Sequence, residues 1–578
     1  MKMDLNIPAL GKAGKCQFKT GAAAVRQWVD DLPLINIEAS VKQLEFALDE
    51  INKTDIPAAE RHAALELLDA PIMHVTGALV KSYLGKQFPL KTRDLDNAAK
   101  ATALRYRMAT SYKILAAAMV KQPDSRTGLP IAIHRAMRHL SEILIGSYQI
   151  YVPYPDGIWK DLHTLYAIGE QHGLLQQQVE DITLRTPVRS TPEDIYKQIL
   201  LLSLACPYRL RQNETSDVYM LLSKWAPYSK LLRASDETSG GFFTWNLEAD
   251  HAPAYLTTRN REDRDTHWRN LNTSDMSKPV RSALEARQQS TQRYSDHLEE
   301  RILQRLMLSW GVMPKRQFTR RQQDASIQLV VGLNAIHNVI SEPEQEPVHP
   351  DKVQAESEVI RDQEYLQDPT FERPASISVN APRNGHRRDK TTFGQLPEQW
   401  QNHPLQGAYA ANSPATAEEN AIPLHVENWK MQDMSAGGYC LLWDSEEASS
   451  AQVGELVAIK SSYDSNDNWH LGVIRWMKLT RERGLGLGVQ MMSPGARAIW
   501  ARVCNDKVSR ADRMQGILLP DIKGLNQQAT LLLPSLPFRT GYLSRLTRGD
   551  KEEQVKLTAQ LEDTGSFAQY HFMAAEES

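Results

Sequence analysis

The chain reads as a multidomain α+β protein: an all-α N-terminal scaffold, then a small antiparallel β-barrel, then a C-terminal β-rich module. Three observations predict this. Apolar residues recur at helical spacing from about residue 41 to about residue 228. Beyond residue 424 they alternate in short pieces between turn residues, as barrel strands do. Between the two lies the tract 341–423, rich in Pro, Glu, Gln, Asn and Ser and without a sustained period, which reads as a disordered insertion. At 578 residues the chain exceeds a single compact core, and 41% hydrophobic residues suffice to build several.

The helical scaffold is assigned to residues 1–235. Val41, Leu44, Leu48 and Ile51 share one face, as do Leu65, Leu68, Ile72 and Leu79. One helix start is legible in detail: Thr191 caps, Pro192 fits the first position, Glu193 and Asp194 suit the positive end of the dipole, and Pro207 closes the element. Glu214 to Ala226 reads as its antiparallel partner. Trp159, Leu162 and Tyr166 resemble the first helix of a tetratricopeptide repeat, although His163 stands where that pattern wants a small residue and no second copy is evident. An amphipathic helix hairpin with an aromatic core stripe explains the same residues.

Residues 236–312 read as a β-hairpin insertion and a connecting helix. GGFFTWNLEADHAPAYL alternates aromatic with polar residues after paired glycines. A helix follows from about Ser282 to Trp310, with Leu298, Ile302, Leu306 and Trp310 on one face. Its arginines are interleaved with Glu285, Asp296, Glu299 and Glu300, the pattern of a solvated face. The barrel is assigned to 313–340 and 424–508, with strands at Cys440 to Trp443, Leu456 to Ile459, Leu471 to Trp476 and Leu485 to Met492; the β-rich module takes 509–578.

Several function classes are excluded at this level. A net charge of −3 gives no basis for a nucleic-acid coat or a membrane-surface binder. Cys16, Cys206, Cys440 and Cys504 are far apart, without a CxxC pair or histidines at ligand spacing, and read as reduced residues rather than metal ligands. The N-terminus lacks the apolar run of a signal peptide, and the longest apolar stretch, Ile199 to Cys206, is too short to span a bilayer, so a cytoplasmic protein without membrane insertion is expected. GLGLGV lacks the spacing and following helix of a dinucleotide loop, and its glycines suit a tightly bent strand. GKAGK has no Ser or Thr after its lysine and is no phosphate loop. His134 and His139 stand on a helix without partners at ligand spacing. With no HExxH and no nucleophile elbow, no catalytic residue, metal or cofactor is expected, and the chain reads as a non-enzyme.

Two motifs carry chemistry. In KRQFTRRQQDASIQLVVGLNAIH, Arg316 and Arg320 form an RxxxR pair leading into a strand; in DMSAGG, Asp433, Ser435 and Gly438 form DxSxxG, also followed by a strand. Their order, together with HLGVIRWMK, RGLGLGVQMM and SPGARAIWARV downstream, resembles the PilZ domain family, whose members bind the bacterial second messenger cyclic di-GMP. The resemblance covers about Arg316 to Val503 and implies a PilZ-like antiparallel β-barrel, with SPGARAIWARV as its closing helix. It also implies that RxxxR wraps the ligand as an arm while DxSxxG forms the floor. Planar arginine forks suit phosphates and the O6/N7 edge of guanine, a carboxylate accepts from guanine N1 and N2, and glycine permits close approach. Lys315, by the resemblance, favours an intercalated dimer of the nucleotide. Arg321 adds a charge that contacts phosphate or stays exposed at the strand start. Arg320 and Asp433 are separated by more sequence than the family uses, and a grown loop accounts for it at modest entropic cost. The expected function is that of a cyclic di-GMP receptor passing its signal through the helical scaffold to a protein partner. The alternative is a constitutive adaptor with a non-binding barrel.

Overall fold

The computed structural model describes residues 5–11, 16–121, 127–181, 188–233, 243–255, 266–288, 296–311, 321–341, 425–435, 437–461, 468–480, 484–504, 513–521 and 527–575. The N-terminal region is helical: α1 (Ala22–Asp30), α2 (Ile37–Lys53), α3 (Ala58–Tyr83), α4 (Thr92–Lys121), α5 (Leu129–Gln149), α6 (Ile158–Gln171), a hairpin of β1 (Val179–Asp181) and β2 (Val188–Ser190), then α7 (Pro192–Leu204) and α8 (Gln212–Trp225). The periodic residues of α2 and α3 are all buried, with α3 and α5 packed on either side of α4. α3 is long and apolar enough by composition to cross a bilayer, with a mean hydropathy of 1.4 over its most apolar window, so Ile199 to Cys206 is not the longest apolar stretch. Half of that window is buried within the protein, as in a core helix.

α7 begins as its sequence dictates. Thr191 Oγ1 accepts from Asp194 N–H at 3.1 Å, and Asp194 Oδ2 accepts from Thr191 N–H at 3.0 Å, a reciprocal cap over the first-position Pro192. The helix ends at Leu204, and Cys206 turns the chain in a left-handed conformation (φ 54°) into a single turn at Pro207–Arg209. α8 then packs against α7. Trp159, Leu162 and Tyr166 of α6 are buried, and His163 beside them joins a polar relay: its Nδ1 meets Tyr196 Oη at 2.7 Å, and Trp245 Nε1 donates to the same oxygen at 2.9 Å. Burial pushes the His163 imidazole down to about 4.

The hairpin expected between residues 240 and 257 forms one end of a larger antiparallel sheet. β3 (Lys230–Arg233), β4 (Phe243–Asn246), β5 (Ala254–Tyr255) and β6 (Trp268–Asn272) lie in the order β3-β6-β4-β5. The expected helix 282–310 corresponds to α9 (Ser277–Gln288) and α10 (Asp296–Ser309), with 289–295 outside the described residues. Ile302, Leu306 and Trp310 are buried, and Trp310 Nε1 donates to the Leu201 carbonyl at 3.1 Å, tying α10 to α7.

A first closed barrel follows: β7 (Arg321–Val331), α11 (Leu333–Ile340), β8 (Glu427–Ser435), β9 (Gly438–Trp443), β10 (Leu456–Ser461), β11 (His470–Thr480) and β12 (Gly484–Ser493). Its six antiparallel strands close in the order β7-β8-β9-β12-β11-β10. The insertion expected at 341–423 lies, apart from Ser341, outside the described residues. A second six-stranded barrel contains β13 (Arg497–Val503), β14 (Met514–Leu519), β15 (Thr530–Leu533), β16 (Leu543–Arg548), β17 (Lys551–Asp563) and β18 (Ala568–Ala574). This corrects two expectations: SPGARAIWARV forms no closing helix, and the second barrel begins at Arg497 rather than after residue 508. Ile499, Ala501 and Val503 point into that barrel's core while β13 bonds to β14 and β16, so strand pairing overrides the helical look of an Ala/Arg-rich segment.

The three parts share cores. Phe88 and Leu90, in the α3–α4 connection, and Ile150 and Tyr151, after α5, belong to the same apolar cluster as Leu441, Trp443, Ile474 and Met477 inside the first barrel. Ser449 N–H donates to the Phe88 carbonyl at 2.7 Å. Leu333 and Ile336 of α11 pack with Leu471, Ile517 and Phe567, joining the two barrels.

Candidate functional site

The outer wall of the first barrel acquires its character from two bulges. Along β8, Trp429 and Met431 face the barrel core, and the register then jumps: Met431 pairs with Leu441, but Asp433 pairs with Cys440. The extra residue, Gln432, resets the alternation, so Met434 packs inward while Asp433 and Ser435 turn outward together. A second bulge at Arg475 on β11 places Ile474 and Met477 inside, with Arg475 and Trp476 outside. One cross-strand row on the outer wall therefore runs Asp433, Cys440, Gly488, Trp476.

Between its ends that row carries only the small Cys440 and Gly488. On β12, Leu485, Leu487 and Val489 fill the core while Gly484, Gly486 and Gly488 alternate with them on the outside. Gly484 takes a positive φ of 92°, while Gly488 is explained by what lies over it: a Cβ there would stand 1.9 Å from Trp476 Nε1. Only glycine lets the indole settle onto the sheet. At Gly438 a Cβ would stand 2.0 Å from the Val489 carbonyl oxygen, so the DxSxxG glycine is what allows β9 to approach β12 so closely. Ser435 Oγ donates to the Gly438 carbonyl at 3.4 Å across the tight β8–β9 connection.

Of the residues expected from sequence, Asp433, Ser435 and Gly438 sit together on this hairpin, half-buried. Arg321 opens β7, exposed, with Met434 as its register partner, which puts it between Asp433 and Ser435 along the neighbouring strand. Lys315, Arg316 and Arg320 lie outside the described residues. Sequence reading missed Trp476, Gly488, Gln490 and Arg475. Alternating glycines opposite a strand that carries a tryptophan were the available signal.

Arg475 connects this wall to the second barrel. Its Nε donates to Gln490 Oε1 at 2.6 Å, and its two terminal nitrogens grip both Glu562 oxygens, Nη2 to Oε2 at 2.9 Å. Burial opposes ionisation of Glu562, but Arg475, with Arg305 and Arg301 nearby, more than offsets it and holds the carboxyl below its ordinary range. The helical domain meets the same corner through Arg211, whose Nε donates to the Val453 carbonyl at 2.9 Å and whose Nη2 donates to Ser566 Oγ at 2.5 Å, touching both barrels. On α10, Arg301 pairs with buried Glu214 of α8, and Arg305 Nη1 donates to the Arg209 carbonyl at 2.5 Å. Among the described residues no grouping of His, Cys, Asp and Glu has the arrangement of metal ligands, and all four cysteines are free.

Comparison with known proteins assigns each part of this architecture. Residues 23–236 match the family model described as the N-terminal domain of the cyclic-di-GMP receptor FimW, residues 242–498 its middle PilZ domain, and residues 499–575 its C-terminal β-barrel domain. The last two ranges divide the chain at the start of β13, where the second barrel begins. The chain is similar to the cyclic-di-GMP receptor FimW of Pseudomonas aeruginosa, 26% identical over 569 residues that cover 96% of this chain and 90% of the relative. No solved structure matches. With its first barrel matched as a PilZ domain and the flanking regions matched in the same order, the middle region of the chain belongs to the PilZ domain family, set in the three-domain arrangement of FimW.

Proposed function

We propose that this chain is a cyclic di-GMP receptor, binding the dinucleotide on the outer wall of its PilZ barrel and relaying occupancy through the helical domain to a protein partner. The observation that carries this reading is the outward hairpin of Asp433, Ser435 and Gly438 beside the start of β7. Asp433 offers a carboxylate to guanine N–H donors, Ser435 a hydroxyl, and Gly438 a backbone without a side chain beside them. Arg320 is bonded to Arg321 and belongs with Arg316 to the arm that would close on phosphate and guanine edges. The name of the Pseudomonas relative supports the same ligand.

The relay follows from connectivity. Arg316 and Arg320 lie between α10 and β7 in the chain, and α10 is held to the helical domain by the Arg301–Glu214 pair and the Arg305–Arg209 bond. Drawing the arm onto an anionic ligand pulls on the end of α10, an order-linked switch. Equilibrium dialysis of the full chain against labelled cyclic di-GMP tests the reading. Binding by the wild type and its loss in Asp433→Ala is expected, and no binding by the wild type overturns it. The shared core of Phe88 and Tyr151 with the barrel favours a second reading, a constitutive adaptor whose domains stay fixed. Capture of partners with and without nucleotide separates the two, since an adaptor's catch does not change.

A further inference from the structure

The far end of the Asp433–Trp476 row does not stop at solvent. Trp476 and Lys478 of β11 face the helical domain across a cleft of about 400 Å³, whose opposite wall is made by Tyr148, Tyr154, Tyr208 and Arg209. A volume of this size at a domain boundary, lined by aromatic rings with a few polar groups, is where small-molecule sites concentrate. The cleft is cationic as well as aromatic: Lys478 Nζ stands 5.5 Å over the Tyr208 ring, and Arg209 is exposed, its backbone carbonyl accepting from Arg305.

The backbone here is unusual. Among the described residues, the non-glycine residues with positive φ are Tyr151 (58°) and Cys206 (54°). Cys206 lines the cleft at the turn that presents Tyr208 and Arg209, and Tyr151 hands its carbonyl to β11 at Leu479, next to Lys478. A left-handed non-glycine residue is strained and persists where surroundings over-determine it, typically at ligand clamps and switch regions. One of them thus lines the cleft, and the other is bonded to the residue after Lys478 in its wall.

We infer that the helical domain supplies the second wall of the nucleotide site, receiving one guanine of the bound dinucleotide in the cleft between Trp476 and the Tyr208–Arg209 turn. This rests on the receptor reading above. The Asp433–Trp476 row spans three strand spacings, roughly 14 Å at about 4.8 Å each, so one ligand with a base at each end of a diphosphate ring can address the hairpin and the cleft together. Trp476 offers a ring for stacking, and Arg209 a planar fork for the guanine O6/N7 edge or a phosphate. A ligand in this position reads both domains at once, and the helical domain senses occupancy by direct contact as well as through α10.

The test is a titration of the full chain with cyclic di-GMP, comparing wild type, Arg316→Ala, Arg209→Ala, Arg209→Lys and Ser203→Trp, the last obstructing the cleft from its α7 side. Arg209→Ala is expected to weaken binding about tenfold or more, the loss of one charge-assisted contact, with an unchanged melting temperature because the side chain is exposed. Arg209→Lys recovers part of the loss, and Ser203→Trp weakens binding at least as much. If Arg316→Ala abolishes binding while Arg209→Ala and Ser203→Trp bind as wild type, the inference is overturned and the receptor reading stands. If the wild type does not bind, the receptor reading itself fails.

Discussion

The backbone N–H of Leu479, on β11 of the PilZ barrel, donates to the carbonyl of Tyr151, just past the end of α5, at 2.7 Å. A main-chain bond of this kind joins two domains as firmly as strands are joined within a sheet, and it lies beside the shared apolar cluster that Phe88 and Tyr151 extend into the barrel.

Phe88→Ala removes an almost fully buried ring from that cluster. The expected cost is about 3–5 kcal/mol, the usual range for deleting a core phenylalanine. Because the cluster belongs to both domains, denaturant unfolding followed by separate helical and barrel probes is expected to give coincident transitions in the wild type. Well-separated wild-type transitions contradict a shared core.

Gly488→Ala places a methyl where the Trp476 indole lies. It is expected to destabilise the barrel by about 1–3 kcal/mol through overpacking. In a Trp476→Ala background the same change is expected to cost far less, and that non-additivity is the diagnostic. Equal cost in both backgrounds contradicts the packing described here.

The Arg475–Glu562 pair holds the two barrels together, and Glu562→Gln is expected to cost about 1–3 kcal/mol at neutral pH. The folded carboxyl titrates below its ordinary range, so its contribution is present above the unfolded value, about 4.3, and is lost as pH falls through the folded value. The difference in stability between wild type and Glu562→Gln, measured by urea melts across pH, should therefore shrink below about pH 4. A difference that grows on acidification contradicts the assignment.

Local rules carried much of this fold into view. The Thr191 cap, the α2 and α3 stripes and the alternating barrel strands are set by neighbours within a few residues, and DxSxxG is compact enough to read directly. The misreadings have physical causes. Arg497–Val503 has the composition of a helix but the alternation of a strand, and its partners β14 and β16 lie downstream, where local propensity is blind to them. The outward turn of Asp433 depends on a bulge at Gln432 that no local pattern announces. Phe88 and Tyr151 sit in connections without periodicity, so their place in a barrel core is decided by contacts hundreds of residues away. Gly488 of β12 acquires its meaning only once Trp476 is known to lie across it.

The most direct test of the central claim is isothermal titration of the full chain with cyclic di-GMP, alongside Arg316→Ala, Arg320→Ala and Asp433→Ala. The expected result is saturable binding by the wild type that is lost in all three variants while their melting temperatures stay close to wild type. Wild-type binding that survives Asp433→Ala, or no heat of binding at all, would contradict a dinucleotide site on the outer wall of the PilZ barrel.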